Sequence, residues 1–178
     1  MTASQRQPSD SRRPIFYAIQ STRWGWVLAA ASEAGICAIE FGDLPEALEE
    51  KLAERFHAAE RLKDAPAFRD RFTQVIAFLE NLSGRLNVPL DIQGTTFQRR
   101  VWEALQEIPR GETVTYADVA NRIGMPKAVR AVAQACASNH LAVVIPCHRV
   151  IRSNGELGGY RWGLDRKRAL LDQEMKSG

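Results

Sequence analysis

The residues best suited to chemistry in this sequence are Cys147 and His148, which are adjacent and follow an apolar run, residues 141–145. A thiolate is a strong nucleophile, and a histidine can supply the base that an ordinary thiol lacks near neutral pH. A buried strand that ends at Pro146 would hold such a thiol at the edge of a pocket. The pair alone is weak evidence, because a cysteine in an apolar segment is commonly an inert core residue.

Residues 115–137 have the spacing of a helix-turn-helix. Thr115 is a suitable helix N-cap with an acidic partner three residues later, Gly124 predicts the turn, and Pro126 is placed to open a second helix. A small helical hairpin that serves only packing is the alternative interpretation of this segment.

The predicted second helix, residues 127–137, carries little side-chain bulk. Val129 and Val132 are expected to pack inward, and Arg130 is the long side chain of the first turn. One face consists of small residues, namely Ala128, Ala131 and Ala135. Helices that read the major groove usually carry several Asn, Gln, Arg or Ser residues, so this helix is suited to close approach rather than to reading base edges.

Basic residues are concentrated in the second half of the chain. The net charge of +3 conceals a balance of −2 for residues 1–94, which hold 11 basic and 13 acidic side chains, and of +5 for residues 95–178, which hold 13 and 8. Residues 122–168 alone carry nine basic and two acidic side chains. Such a segment is often only a solvated face, but beside a helix-turn-helix it indicates DNA as the partner.

These segments together resemble the O6-alkylguanine-DNA alkyltransferase family, which repairs DNA by moving an alkyl group to a protein cysteine. The resemblance is carried by ordered elements along the second half: Phe97–Trp102, Ile108–Tyr116, Gly124–Val132, Ser138 and Asn139, Ile145–Val150 and Gly158–Tyr160. This half is most similar to the carboxy-terminal alkyltransferase part of the bacterial adaptive-response proteins, including residues 160–163.

The resemblance implies a role for three residues in the chemical step. Cys147 is the nucleophile, and it loses its proton through a water to His148, which Glu174 orients. The product is a thioether that nothing in such a site can hydrolyse, so Cys147 is also the final alkyl carrier and each molecule reacts once. No cofactor and no metal are expected.

The resemblance also implies how double-stranded alkylated DNA is bound, by a minor-groove approach. Arg130 inserts into the duplex in place of the flipped nucleotide, and Ala128 and Ala131 let the helix approach the groove closely. Tyr116 crowds a phosphate and contacts the guanine. Asn139 ties the end of this helix to the segment before the active site. The substrates expected are O6-methylguanine and O4-methylthymine.

The pocket implied by the resemblance is closed by backbone groups near Cys147 and Val150 and by the loop that carries Tyr160 and Arg161. This sequence departs from members with roomy pockets, because Arg161 and Trp162 replace small residues after the tyrosine. We therefore expect a methyl group to be handled much better than a benzyl group. The four-cysteine zinc domain of the adaptive-response proteins is not recognised here, so gene regulation is not expected unless the chain is one piece of a larger product.

The predicted fold class is α/β, a small N-terminal domain of an antiparallel sheet plus helices followed by a mostly helical C-terminal domain with a helix-turn-helix. Residues 1–13 are expected to be a flexible tail, 14–90 the N-terminal α/β domain and 91–178 the DNA-binding and alkyl-transfer domain. Short β-prone runs and amphipathic patterns predict the elements: strands at 14–20, 25–30 and 35–41, and helices around 48–56, 68–79, 97–108 and 164–173.

Several classes of protein are disfavoured by the sequence. Three cysteines without metal-ligand spacing suit a reducing cytosol better than a disulfide framework. No apolar stretch is long enough to span a membrane and no signal segment is recognised, so a cytoplasmic protein is expected. It is expected to be a monomer, with cooperative binding on DNA left open. His57 is expected to be a surface residue rather than a ligand.

Three other functions stay open from the sequence. A DNA-binding thiol sensor would need a resolving cysteine, for which Cys136 on the second helix is the nearby candidate. A cysteine hydrolase would use a Cys-His pair but would leave the basic, alanine-rich helix unexplained. A non-catalytic recogniser of alkylated bases would need no cysteine at this position, so Cys147 argues against it.

Overall fold

The computed structural model describes residues 13–177, so the predicted tail lies outside the described residues except for Arg13. A four-stranded sheet begins the fold, with β1 (Ile15–Thr22), β2 (Gly25–Ala31), β3 (Ile36–Gly42) and β4 (Arg61–Lys63) in the order β3-β2-β1-β4. The predicted antiparallel meander is confirmed for β1, β2 and β3. The sequence missed β4, which pairs parallel to β1, because three residues with one apolar side chain give no periodic signal.

Two helices cover the two faces of this sheet. Helix α1 (Pro45–Arg55) buries Leu48 and Leu52 on one face, in a cluster with Leu28 and Ala38. Helix α2 (Arg69–Asn81) packs its buried side chains into the larger core on the other face. Since β2 lies between two strands and under both helices, all residues from Val27 to Ala31 are buried, which explains its uninterrupted apolar sequence.

The second half is mostly helical. It consists of α3 (Thr96–Gln106), β5 (Val114–Thr115), α4 (Tyr116–Arg122), α5 (Val129–Ala137), β6 (Val150–Ile151) and α6 (Leu164–Lys176). Helices α4 and α5 form the predicted helix-turn-helix. The predicted cap is present, since the Thr115 hydroxyl accepts from the Asp118 amide at 3.0 Å and the Asp118 carboxylate from the Thr115 amide at 2.8 Å. The short parallel pair of β5 and β6 joins the start of α4 to the segment after Cys147.

The apolar run before Cys147 is not the strand that the sequence predicted. Leu141 makes one bridge to Ile39, and the chain then turns, with Val143 in the left-handed region at φ 69°. A β-branched residue rarely adopts this conformation, and surrounding packing must hold it there. The run is apolar because it is buried, and burial without periodicity does not distinguish a strand from a tight buried turn.

One hydrophobic cluster runs through both halves of the chain and includes Ile39 of β3, Leu105 of α3, Val132 of α5 and Leu170 of α6. Backbone bonds cross between the halves as well, from Ile39 N–H to the His140 carbonyl at 2.8 Å and from Ala142 N–H to the Ile39 carbonyl at 3.0 Å. The turn that precedes Cys147 is therefore built directly on the first-half sheet. Within residues 13–177, no helix is both long and apolar enough to cross a membrane.

Replacing Leu105 with alanine tests this shared core. Leu105 is fully buried, so the cavity left behind is expected to lower the free energy of unfolding by about 2–5 kcal/mol. Leu164, which is 50% exposed at the start of α6, is the matched control, and its replacement by alanine should change stability by less than about 0.5 kcal/mol. Urea denaturation measures the free energy of unfolding of both variants. Equal losses would contradict the assignment of Leu105 to the shared core.

Candidate active site

A cavity of about 260 Å³ lies between the helix-turn-helix and the loop before α6. Its lining combines α4, α5, the turn after Pro146 and that loop: Tyr116, Ala133, Cys136, Ala137, Cys147, Gly159, Tyr160 and Arg161. Cys147 therefore faces a cavity that could admit a small planar group, and the other walls are largely apolar or aromatic.

Cys147 begins a single 3₁₀ turn, Cys147–Arg149, and is almost fully buried. Burial raises the pKa of its thiol to about 11, against the opposing effect of a hydrogen bond from the Asn139 amide nitrogen to Sγ at 3.3 Å. A thiol in this environment needs a dedicated acceptor for its proton before it can act as a nucleophile.

Asn139 is fully buried directly after α5 and connects that helix to the Cys147 turn. Its side-chain oxygen accepts from the Leu141 amide at 2.8 Å, and its Nδ2 donates to the Ile145 carbonyl at 2.9 Å as well as to the sulfur. One amide side chain thus sets both the shape of the turn and the position of the thiol.

His148, Arg149 and Glu174 form a buried ionic cluster. His148 Nε2 and Arg149 Nη2 lie 2.9 Å and 2.7 Å from Glu174 Oε1, and Arg149 Nε lies 2.9 Å from Oε2. Burial alone would raise the pKa of Glu174, but the hydrogen bonds from His148 and Arg149 lower it to about 2. Glu174 is therefore a carboxylate that can only accept hydrogen bonds.

These contacts determine the tautomer of His148. Burial lowers the pKa of the imidazole despite the nearby carboxylate, so the ring is neutral near pH 7. Its Nε2 must carry the proton that is donated to Glu174, which leaves the lone pair on Nδ1. Among the described residues Nδ1 has no hydrogen-bond partner, so it is the atom free to accept a proton.

The chain is similar to known proteins in both of its halves. Two family descriptions match: 6-O-methylguanine DNA methyltransferase, ribonuclease-like domain, over residues 15–92, and 6-O-methylguanine DNA methyltransferase, DNA binding domain, over residues 96–176. The inducible methylated-DNA–protein-cysteine methyltransferase of Bacillus subtilis is 35% identical over 94% of this chain and 95% of its own length. The chain belongs to this methyltransferase family.

Two further relatives of this family member are informative. The bifunctional transcriptional activator/DNA repair enzyme Ada of Escherichia coli is 48% identical over 99% of this chain, but the chain spans about half of Ada, 50% of its length. A crystal structure of Mycobacterium tuberculosis OGT in complex with DNA is similar with a TM-score of 0.74 and 34% identity, covering 90% of this chain and 93% of that one.

Lys167 is a site residue that sequence reasoning missed in this family member. A charge count places it on the basic surface, yet it is fully buried and donates to the carbonyls of Val150 at 2.7 Å, Gly159 at 3.0 Å and Leu157. Burial lowers its pKa to about 8. The ammonium ties β6 to the pocket loop. Lys167 lies three residues before Leu170 and seven before Glu174, so all three share one face of α6. This spacing was the signal in the sequence that could have identified Lys167 as buried.

The basic surface contains fewer charged residues than the sequence predicted. Three of the nine basic residues of 122–168 turn inward: Lys167, Arg149 on Glu174, and Arg166, which binds the carbonyls of Trp24 and Trp162. The six that remain exposed are Arg122, Lys127, Arg130, Arg152, Arg161 and Arg168. A buried lysine or arginine looks the same as a surface one in a charge count, which is why the sequence overestimated this face.

The second helix starts later than predicted and buries a different face. Helix α5 begins at Val129 with Ala128 as its N-cap, so Val129 is 36% exposed rather than packed, and Ala135 is buried rather than on the open face. Arg130 is exposed in the first turn and Ala131 is half-buried beside it. The proline-containing turn occupies the two residues that the sequence assigned to the helix.

The two tyrosines of the site are kept protonated by burial. Burial raises the pKa of Tyr116 to about 12 and raises that of Tyr160 well above its ordinary value. Both therefore hold their hydroxyl protons at neutral pH and are available as hydrogen-bond donors. The Tyr160 hydroxyl is buried and has no partner among the described residues. Val150, in β6, is buried and offers its carbonyl to Lys167.

The pH dependence of stability in a Glu174→Gln variant tests the ionic cluster. The carboxyl pKa of about 2 lies below its ordinary 4.5, so the stability it contributes is complete above about pH 4.5 and is lost as pH falls towards 2. The variant should be less stable by about 2–3 kcal/mol near neutral pH, and the difference should shrink in acid.

Urea denaturation across pH measures this difference. Glu156, which forms an exposed pair with Arg152, provides the control, and Glu156→Gln should follow the wild-type profile. A deficit for Glu174→Gln that stays constant from neutral to acid pH would show that the carboxylate is not held ionised by its partners.

Proposed function

We propose that this chain repairs alkylated DNA by transferring the alkyl group from O6 of guanine to Cys147, once per molecule. The observation that carries the proposal is the cavity in which the buried Cys147 thiol faces the helix-turn-helix. The next residue, His148, has a buried Nδ1 without a hydrogen-bond partner among the described residues. Membership of the methyltransferase family supports the reaction type. Because the chain matches half of Ada, the proposal concerns alkyl transfer and not transcriptional activation.

The chemical step follows from the groups at the site. A water relays the Cys147 proton to Nδ1 of His148, and the Glu174 carboxylate stabilises the imidazolium that forms. Sγ then attacks the alkyl carbon, the carbon–oxygen bond breaks, and the guanine leaves with the bonding electrons. The proton taken by His148 is available to restore neutral guanine, and Tyr116 and Tyr160 are the hydroxyl donors beside the cavity.

The depth of Cys147 requires the target nucleotide to leave the base stack. A nucleophile inside the protein cannot reach an alkyl carbon within a duplex, so the nucleotide rotates into the cavity at a cost of a few kcal/mol for unstacking. Arg130 is exposed at the start of α5 and fills the gap, while Ala128 and Ala131 let the helix enter the minor groove. The similar mycobacterial protein has been solved in complex with DNA, which supports DNA as the partner here. O4-methylthymine is a second substrate in this proposal, and the protein acts as a monomer.

A thiol-sensor function is the second candidate because Cys136 lines the same cavity as Cys147. Burial raises the pKa of Cys136, however, and a resolving thiol reacts as a thiolate. Alkyl transfer needs only one activated thiol, Cys147, and is compatible with a Cys136 that keeps its proton.

Mixing the protein with a duplex that holds one O6-methylguanine tests the proposal. We expect one methyl group per protein on the peptide that contains Cys147, with unmodified guanine restored in the DNA. Mass spectrometry of the digested protein measures the transfer, with Cys147→Ala as the inactive control and Cys37→Ala as the matched active one. Binding to the lesion without transfer would contradict the proposal and indicate a damage recogniser.

The role of Arg130 is tested by Arg130→Ala. Loss of the inserted side chain should slow transfer from duplex DNA by about tenfold or more, because nothing then compensates the unstacked site. Transfer from a single-stranded oligonucleotide should change much less, and Arg69→Ala, at the exposed start of α2, should leave both rates unaltered. Equal losses on both substrates would exclude a role in extrusion of the base.

A further inference from the structure

Glu40 on β3, in the first half of the chain, contacts the loop that lines the cavity. Its carboxylate is largely buried and accepts hydrogen bonds from Trp162 Nε1 at 2.6 Å and His140 Nδ1 at 2.7 Å. Arg161 Nε lies 3.4 Å away and completes the set. All three partners belong to the second half of the chain, and none of them is close to Glu40 in sequence.

The partners of Glu40 shape the cavity. Arg161 lines it, and Arg161 Nη1 also donates to the Ala137 carbonyl at the end of α5, at 3.2 Å. Trp162 packs edge-on against Tyr160, which lines the cavity too, with ring centroids 5.2 Å apart. One carboxylate thus fixes two neighbouring side chains of the loop that closes the pocket.

The carboxylate is suited to this role because it is ionised. Burial would raise the pKa of Glu40, but the hydrogen bonds from His140 and Trp162 and the charge of Arg161 lower it. An ionised carboxylate offers about four acceptor positions and no donor, which fits three N–H groups converging on it.

The backbone of the loop has separate supports. Arg166 Nη1 donates to the Trp162 carbonyl at 3.0 Å, and Lys167 holds the carbonyl of Gly159. Loss of Glu40 would therefore release the indole of Trp162 and leave the guanidinium of Arg161 with the Ala137 carbonyl alone, while the main chain of the loop stays in place.

We propose that Glu40 is a positioning residue that sets the size limit of the alkyl pocket by holding Arg161 at its wall and Trp162 behind the wall residue Tyr160. This inference rests on the proposed alkyl transfer and deepens it, because it assigns the first half of the chain a part in substrate selection. With Glu40 present the pocket admits a methyl group and resists a benzyl group. Without it the two side chains move aside and the bulkier adduct enters.

Single-turnover rates with duplexes that carry either O6-methylguanine or O6-benzylguanine test the inference. In Glu40→Leu the benzyl-to-methyl rate ratio should rise by about tenfold, a typical value for a change in fit within a pocket. Glu40→Gln keeps one acceptor for the indole and should give a smaller rise. Glu50→Gln, on the exposed side of α1, should behave as wild type.

Trp162→Phe is the partner variant, because it keeps an aromatic ring, although a smaller one, and removes the N–H donor. If Glu40 acts through Trp162, the double variant Glu40→Leu with Trp162→Phe should raise the ratio by less than the product of the single effects. A ratio that is the same in wild type, Glu40→Leu and Glu40→Gln, with both rates moving together, would show that Glu40 only stabilises the fold and would overturn the inference.

The anchor can also be measured without any reaction. The indole N–H of Trp162 should exchange slowly with solvent deuterium in the wild type and in Glu50→Gln, and rapidly in Glu40→Leu, as followed by nuclear magnetic resonance. If the wild type transfers no methyl group, the proposed function fails while this measurement still tests the anchor. Equal exchange in all three proteins would overturn it.

Discussion

The carboxylate of Glu174 holds the turn of Cys147 in place, although it lies 27 residues beyond Cys147 in the sequence. It is buried, ionised and bound by His148 and Arg149, and Arg149 in turn reaches the Ile108 carbonyl at 2.7 Å. A buried ion pair is costly to desolvate, and breaking it by removal of one partner leaves an uncompensated charge. The 3₁₀ turn, the loop after α3 and the end of α6 must therefore assemble together.

Helix α6 holds two parts of the site from one of its faces, through Glu174 and Lys167. Glu174 orients the imidazole, and Lys167, two turns earlier, holds the carbonyls of β6 and the pocket loop. The cation thus holds the loop that lines the cavity, and the anion holds the turn that carries Cys147. A site built on a helix is more rigid than one built on loops alone, which suits a protein whose thiol must meet a single alkyl carbon.

Much of the fold was predictable from the sequence because local patterns determine it. The meander of β1 to β3, the capped helix α4 and the amphipathic helices α2 and α3 all give periodic or capping signals. The parallel strand β4 and the turn at 141–145 were not predictable in this way, since the first is too short to show a pattern and the second is apolar for reasons of burial alone.

The site shows a similar division. Cys147 and His148 stand out as a reactive pair, and the resemblance to the family added Glu174, Asn139 and Arg130 as expectations. Glu40, Lys167 and Arg149 were missed or misassigned, because a charge that is buried and paired has the same letter as one in water. Their partners lie 8 to 122 residues away, and only the folded chain brings them together.

The central claim is that His148 takes the proton of Cys147. Its most direct test is the pH dependence of Cys147 alkylation by iodoacetamide, followed by the mass of the Cys147 peptide in the wild type and in His148→Gln. If the imidazole is the acceptor, the thiol of the variant should ionise at a higher pH than that of the wild type. Identical pH profiles in two folded proteins would contradict the account.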